Sequence, residues 1–80
     1  MTVRVLAFAQ LREILGAAES LDLPQGATAR DAWHALVEAH AALGPLAAST
    51  RLARNGALVG DAVALAEGDE LALLPPVSGG

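Results

Sequence analysis

The chain has 80 residues, a formal charge of −4 and no cysteine; 54% of its residues are hydrophobic, yet 19 of the 80 are alanine. That is one small domain with one compact core. At this length only about 60–65% of the unfolded surface is buried, which argues against a deep enclosed catalytic cavity. The acidic balance (pI about 4.8) and the two aromatics, Phe8 and Trp33, offer nucleic acid neither a basic groove nor a stacking platform, and offer an anionic membrane no attraction. Without cysteine there are no disulfides, thiolate metal sites or thiol catalysis. Lysine is absent too, the five cations being Arg4, Arg12, Arg30, Arg51 and Arg54. No apolar stretch approaches the roughly 20 residues of a membrane span. The start, Met1-Thr2-Val3-Arg4-Val5-Leu6, has no basic segment leading a long apolar run, so no secretory signal is expected and the cytoplasm is the expected compartment.

In chain order, Val3–Phe8 is rich in residues that strands prefer. Period-two spacing puts Val3, Val5 and Ala7 on one face and Arg4, Leu6 and Phe8 on the other. Ala9–Leu15 reads as a short helix closed by Gly16. Leu21 and Leu23, alternating with Ser20 and Asp22, predict a second strand, and Pro24-Gln25-Gly26 a turn. Thr28 is a helix N-cap with Asp31 three residues on. The following helix carries Ala29, Ala32, Trp33, Leu36, Val37, Ala39 and Leu43 at helical spacing, with its end predicted at Leu43-Gly44-Pro45. Thr50–Arg54 and Ala57–Val59 flank Asn55-Gly56, a strong hairpin signal. Glu67-Gly68-Asp69 is a further turn, and Glu70–Leu74 the last strand.

Strand, short helix, strand, main helix and three strands make an α+β layer, with the amphipathic helix lying across one sheet face. The first and last strands carry apolar residues on both faces, which marks them as central strands or as strands with a partner on the far side. Leu6, Phe8 and Leu74 fall out of phase with Val3, Val5, Leu71 and Leu73. They are therefore expected on the outer face, as a candidate partner-binding patch.

The sequence closes on Pro75-Pro76-Val77-Ser78-Gly79-Gly80. Two prolines enforce extended backbone and stop the last strand from pairing further. Six residues reach about 20 Å. Two glycines remove every side chain from the tip, so it fits a channel no wider than a backbone.

Phe8-Ala9-Gln10-Leu11-Arg12-Glu13, the Asn55-Gly56 hairpin, Gly68-Asp69-Glu70 and the Pro75-Pro76-Val77-Ser78-Gly79-Gly80 tail, in this order and length, resemble the small subunit of molybdopterin synthase. The resemblance covers essentially the whole chain and is most specific at the tail. Relatives that carry sulfur for thiamine synthesis share the Gly-Gly end but usually lack the paired prolines and the Phe-Ala-Gln-x-Arg-Glu segment. The resemblance implies the ubiquitin-like β-grasp fold: a mixed sheet of about five strands with one main helix across one face, as a domain over 1–74 followed by a tail over 75–80. It also implies a sulfur carrier. Gly80 would be adenylated, converted to a thiocarboxylate, and donate sulfur to the pyranopterin precursor of the molybdenum cofactor.

On that resemblance Gly80 supplies the reacting atom and Gly79 the clearance, while Pro75, Pro76, Val77 and Ser78 enter the partner's channel. Leu6, Phe8, Arg12 and Leu74 would form the partner interface. The implied partners are the synthase large subunit, an E1-like adenylating enzyme and a sulfur donor protein, with no nucleic acid and no membrane. No bound cofactor or metal is expected, ATP being used by the activating enzyme. The chain would be the sulfur-donating subunit of a sulfurtransferase complex without catalytic residues of its own, which leaves its standing as an enzyme open. Other readings stay open: a sulfur carrier for thiamine, cysteine or tRNA thiolation, a ubiquitin-like protein modifier, or a binding module with an inert tail.

Two features depart from the family pattern. Arg54 stands where an aliphatic strand residue is expected, implying a solvated edge or a partner contact. Ala29 and Ala32 are small, leaving Trp33 to carry extra packing. Asp31 and His34, one helical turn apart, have no nucleophile between them and read as a solvated contact. His34 and His40 are about 240° apart around a helix and cannot share a metal. Glu67, Asp69 and Glu70 form either a solvated turn or an acidic surface for a basic partner, and Arg12 is either a surface cation or a partner contact.

Overall fold

The computed structural model describes residues 1–76. In β1 (Thr2–Ala7) the alternation buries Val3, Val5 and Ala7 and exposes Thr2 and Arg4. α1 (Ala9–Leu15) stops at Gly16, whose φ of 86° only glycine adopts freely and whose N–H donates to the Arg12 carbonyl at 2.7 Å. β2 (Ala18–Asp22) runs back antiparallel to β1, with Leu6 opposite Ala18 and Thr2 opposite Asp22. β3 (Arg51–Arg54) and β4 (Ala57–Val59) form the expected hairpin, Asn55 and Gly56 taking φ of 48° and 87° as a two-residue primed turn demands. β5 (Glu70–Leu74) slots between β1 and β3, giving the order β2-β1-β5-β3-β4. β5 is parallel to β1 and antiparallel to β3. This is the mixed five-stranded β-grasp sheet, with β1 and β5 inside it, the first of the two arrangements their two-sided apolar character allows.

The main helix, α2 (Ala29–Ala39), opens with its first-turn amides fully engaged. Thr28 and Asp31 form a capping box: Asp31 N–H donates to Thr28 Oγ1 at 3.2 Å, and Thr28 N–H to Asp31 Oδ2 at 2.9 Å. The two remaining donors go to the loop before β5, Ala29 N–H to the Val63 carbonyl at 2.9 Å and Arg30 N–H to that of Asp61 at 3.0 Å. Leu65 N–H in turn donates to the Ala27 carbonyl at 2.9 Å. Ala29 and Ala32 are completely buried at this loop-strapped end, and Trp33 packs half-buried on the core rim.

The predicted end of that helix is corrected. α2 stops at Ala39, not at Leu43-Gly44-Pro45, and Ala41–Ser49 forms a 3-10 segment with Pro45 inside it. The break falls at His40 (φ −134°, ψ 84°), whose Nε2 lies 3.0 Å from Glu19 Oε1 of β2. That contact ties the break to the sheet. Beyond it Leu43 still reaches the core and is completely buried. No glycine or proline marks His40, so helical spacing carries past it unchecked.

The core gathers Val3, Val5, Leu11, Leu36, Leu43, Leu71 and Leu73, each with at most 1% of its surface exposed. Fully burying each leucine contributes about 1.5–3 kcal/mol. No polar or charged residue is buried among the described residues. No helix among them is long and apolar enough to cross a membrane.

A polar clasp joins the β3–β4 turn to the turn before β5. Asn55 Nδ2 donates to Asp69 Oδ1 at 3.0 Å, Ala66 N–H to Asp69 Oδ2 at 2.8 Å, and Glu70 N–H to Asn55 Oδ1 at 2.9 Å. Arg54 Nη1 donates to the Ala64 carbonyl at 2.8 Å, and its Nε stands 3.7 Å from Asp69 Oδ2. Arg54 thus serves the chain's own loop where a solvated edge or a partner contact was expected. Asp69 and Glu67 are likewise not free acids: Glu67 Oε1 accepts from Thr2 N–H at 2.9 Å, and only Glu70 of the three keeps an uncommitted, exposed carboxylate.

Asp31 and Asp69 are held below the ordinary carboxylate value of 3.8, Asp31 chiefly by the Thr28 N–H and Asp69 chiefly by the Asn55 amide. A carboxyl depressed in the folded state adds stability above its unfolded value, and that stability is lost as pH falls through the folded one. Acid unfolding followed by circular dichroism is therefore expected to show a shallower loss of stability below about pH 4 in the Asp31→Asn/Asp69→Asn double variant than in the native chain. Superimposable acid limbs would contradict this assignment.

Candidate functional site

Parallel pairing of β1 and β5, with Ala7 beside Leu73, brings the ends of both strands to one edge of the sheet. Phe8 leaves β1 there and Pro75-Pro76 leaves β5. Leu74 and Pro75 are half-buried and Pro76 exposed; Val77, Ser78, Gly79 and Gly80 lie outside the described residues.

The outer face is built row by row from the register. Leu6 pairs with Ala72 and Ala72 with Ala53, which pairs with Leu58 on the far edge. Leu74 pairs with Arg51 and Arg4 with Glu70, so charged residues border the apolar row. Leu6 and Leu74 are thus on one face as predicted, and Phe8, 45% exposed, continues it past the end of β1. Arg12 belongs to another element, the exposed surface of the last turn of α1. Leu58, 60% exposed, is a large apolar residue of this face that the sequence reading passed over. Its alternation with Val59, which points to the core, was the available signal.

Phe8 and Ala9 hold an unusual backbone. Phe8 caps α1 in extended conformation (φ −130°, ψ 156°), its carbonyl accepting from the Leu11 and Arg12 amides. Ala9 takes φ 53°, a left-handed conformation that costs a residue with a Cβ about 1–2 kcal/mol. The sharp corner turns the Phe8 ring outward beside the tail exit.

Elsewhere the titratable groups perform structural work. Asp31 is spent on the capping box, His34 is exposed beside it, and His40 pairs with Glu19. No group of three or more histidine, aspartate or glutamate residues is placed to hold a metal ion among the described residues. A depression of about 540 Å³ between Asp22–Ala27 and α2 contains Asp31, His34 and Glu38, with no hydroxyl, thiol or amine side chain among its lining residues.

A β-grasp domain with an apolar outer face and a proline-led Gly-Gly tail defines a class of small carrier and modifier proteins. The model of the ThiS family matches residues 5–80, and the chain belongs to that family. It is 39% identical to a molybdopterin synthase sulfur carrier subunit of Chlamydomonas reinhardtii over the full length of both chains. It is 44% identical to small archaeal modifier protein 1 of Haloferax volcanii, over 91% of this chain and 94% of that one. The crystal structure of that archaeal protein superposes with a TM-score of 0.85 over 95% of this chain and 98% of that one, at 38% identity. A chain in the complex of subunits 1 and 2 of the molybdopterin-converting factor from Helicobacter pylori superposes with a TM-score of 0.73 over the full length of both, at 25% identity.

The Ala9 geometry has a direct check. Ala9→Gly is expected to be neutral or to stabilise by up to about 1 kcal/mol in chemical denaturation, while the β-branched Ala9→Val destabilises by more than about 1 kcal/mol. A clear loss on placing glycine there would refute the strained corner.

Proposed function

We propose that this chain is the sulfur carrier and small subunit of a molybdopterin synthase, acting through Gly80 at the end of its tail. The observation that carries the reading is the full-length likeness to a sulfur carrier subunit of that enzyme, within a family match running through Gly80. The sheet face and the tail supply the physical means.

A carboxylate is a poor electrophile because its charge is shared by two oxygens. An E1-like enzyme would convert the Gly80 carboxylate and ATP into an acyl adenylate and pyrophosphate. A persulfide on a sulfur donor protein then displaces AMP, and thiol attack on the resulting acyl disulfide releases the Gly80 thiocarboxylate. That group is a soft nucleophile, able to deliver sulfur to the pyranopterin precursor. ATP belongs to the activating enzyme, the chain holds no cofactor of its own, and the cytoplasm is the compartment where such partners meet.

In this scheme the large subunit takes the tail. Pro75 and Pro76 stiffen the approach, Val77 and Ser78 line the entry, and Gly79 gives clearance. Leu6, Phe8, Leu74 and the added Leu58 seat the partner on the outer face, with Arg12 at its margin. The complex of subunits 1 and 2 from H. pylori supports a two-chain assembly of this kind. A second reading, a protein modifier joined through Gly80 to amines of other proteins, is favoured by the likeness to the archaeal modifier.

Intact mass spectrometry after co-expression with a cognate activating enzyme and sulfur donor separates the two. Replacement of one terminal oxygen by sulfur is expected; isopeptide adducts alone would establish the modifier, and an unchanged mass would defeat both. Deleting Gly80 is expected to abolish sulfur transfer with little change in thermal stability. Phe8→Asp should weaken capture of the large subunit at least tenfold in a calorimetric titration while the domain stays folded. Unfolding of Phe8→Asp would place that ring in the core instead.

A further inference from the structure

An activated acyl group is consumed by whatever strong nucleophile meets it first, and in proteins those are the amines and thiols. This chain has no lysine and no cysteine. Its one amine is the Met1 ammonium, which donates to the Leu23 carbonyl at 2.7 Å, while Leu23 N–H donates back to the Met1 carbonyl at 2.8 Å. The two bonds extend the β1–β2 ladder by one step, and Met1 packs half-buried against the core. To attack a carbonyl, that nitrogen would have to lose a proton and leave the ladder.

The topology keeps the same amine away from the tail. Because β1 and β5 are parallel and Ala7 lies beside Leu73, Met1 is at the opposite end of β1 from the tail exit, about 20 Å from Ala7 at 3.3 Å per residue. Six tail residues span about 20 Å when fully drawn out. Reaching Met1 would require the tail to reverse at Pro75-Pro76 and run taut along the sheet. Outside the tail the remaining nucleophiles are hydroxyls and two imidazoles; the first are weak, and acyl groups on the second hydrolyse.

We infer that the domain is a non-acceptor for its own activated terminus: once Gly80 is activated, the acyl group can neither close on the chain nor build chains of it, and passes only to an external sulfur or amine. The inference rests on Gly80 being the activated group, as in the proposed function. The reaction excluded is attack of an amine of the same or a second copy on the Gly80 carbonyl, forming an amide and expelling AMP and a proton. An external persulfide therefore meets no competitor from this protein, however concentrated it becomes.

The test installs a Gly80 alkyl thioester by expressed-protein ligation, so that no activating enzyme is needed. The native sequence and Arg51→Lys are compared by intact mass spectrometry and denaturing gel. Arg51 is exposed and paired with Leu74, so this variant keeps the charge and places an amine beside the tail exit. The native thioester is expected to give hydrolysed monomer alone, and a single amide when a small primary amine is added. Arg51→Lys is expected to give at least tenfold more cyclised monomer or amide-linked dimer. Cyclised monomer or amide-linked dimer from the native protein at the level of Arg51→Lys would overturn the inference, and equally low yields from both would overturn the absence of amines as its cause. A failure of enzymatic sulfur loading would strike the proposed function and leave this comparison standing.

Discussion

The pairing of β1 with β5, parallel and inside the sheet, is the constraint on which the rest of the molecule depends. It brings together the first and last strands of the described domain, so the fold is complete only when both are in place. Its inward residues Val3, Val5, Leu71 and Leu73 are all essentially inaccessible and form the centre of the core. Its parallel sense sends both strands out at one edge. Phe8 and the tail therefore leave side by side, and the chain's start is left at the far edge. A hairpin joining the same two strands would have exchanged those positions.

Around that pair, polar groups are used to hold turns and helix ends rather than to build a reaction centre. The loop before β5 supplies carbonyls to the first turn of α2, and the clasp of Arg54, Asn55 and Asp69 fixes the turn from which β5 starts. These contacts act at the end of β5 remote from the tail. Their service to function is indirect: they hold the register that puts Leu74 at the sheet's edge. The core of the described residues is wholly apolar and holds no charge.

Much of this was legible in the sequence because the signals were local. Period-two alternation placed Val3, Val5, Ala7, Leu71 and Leu73 inward, Thr28 marked a helix N-cap with Asp31 in the first turn, and Asn55-Gly56 marked a hairpin. Three features were not legible, each for lack of a local mark. The break at His40 depends on a contact to Glu19 from a distant strand. The commitments of Arg54 and Asp69 depend on a loop ten or more residues away in one case and on a hairpin turn in the other. The left-handed Ala9 sits where helical propensity offers no warning. Alternation alone reached Leu6 and Leu74, and a stricter use of it reaches Leu58.

The strained corner at Ala9 bears on how the proposed division of labour between face and tail is achieved. An apolar ring left to itself gains by folding back onto the core, and Leu11, three residues further on, shows that the core is within reach of this segment. The left-handed turn at Ala9 opposes that collapse. It starts α1 immediately after the strand, so that Leu11 takes the inward place and Phe8 is turned out. On the proposed reading, binding strength then resides in a rigid apolar surface that includes Phe8, while the tail contributes reach and chemistry without carrying the affinity. The separation has a chemical use. A tail that supplied most of the binding energy would resist withdrawal from one partner before visiting the next, whereas a carrier must leave its activating enzyme to meet its acceptor.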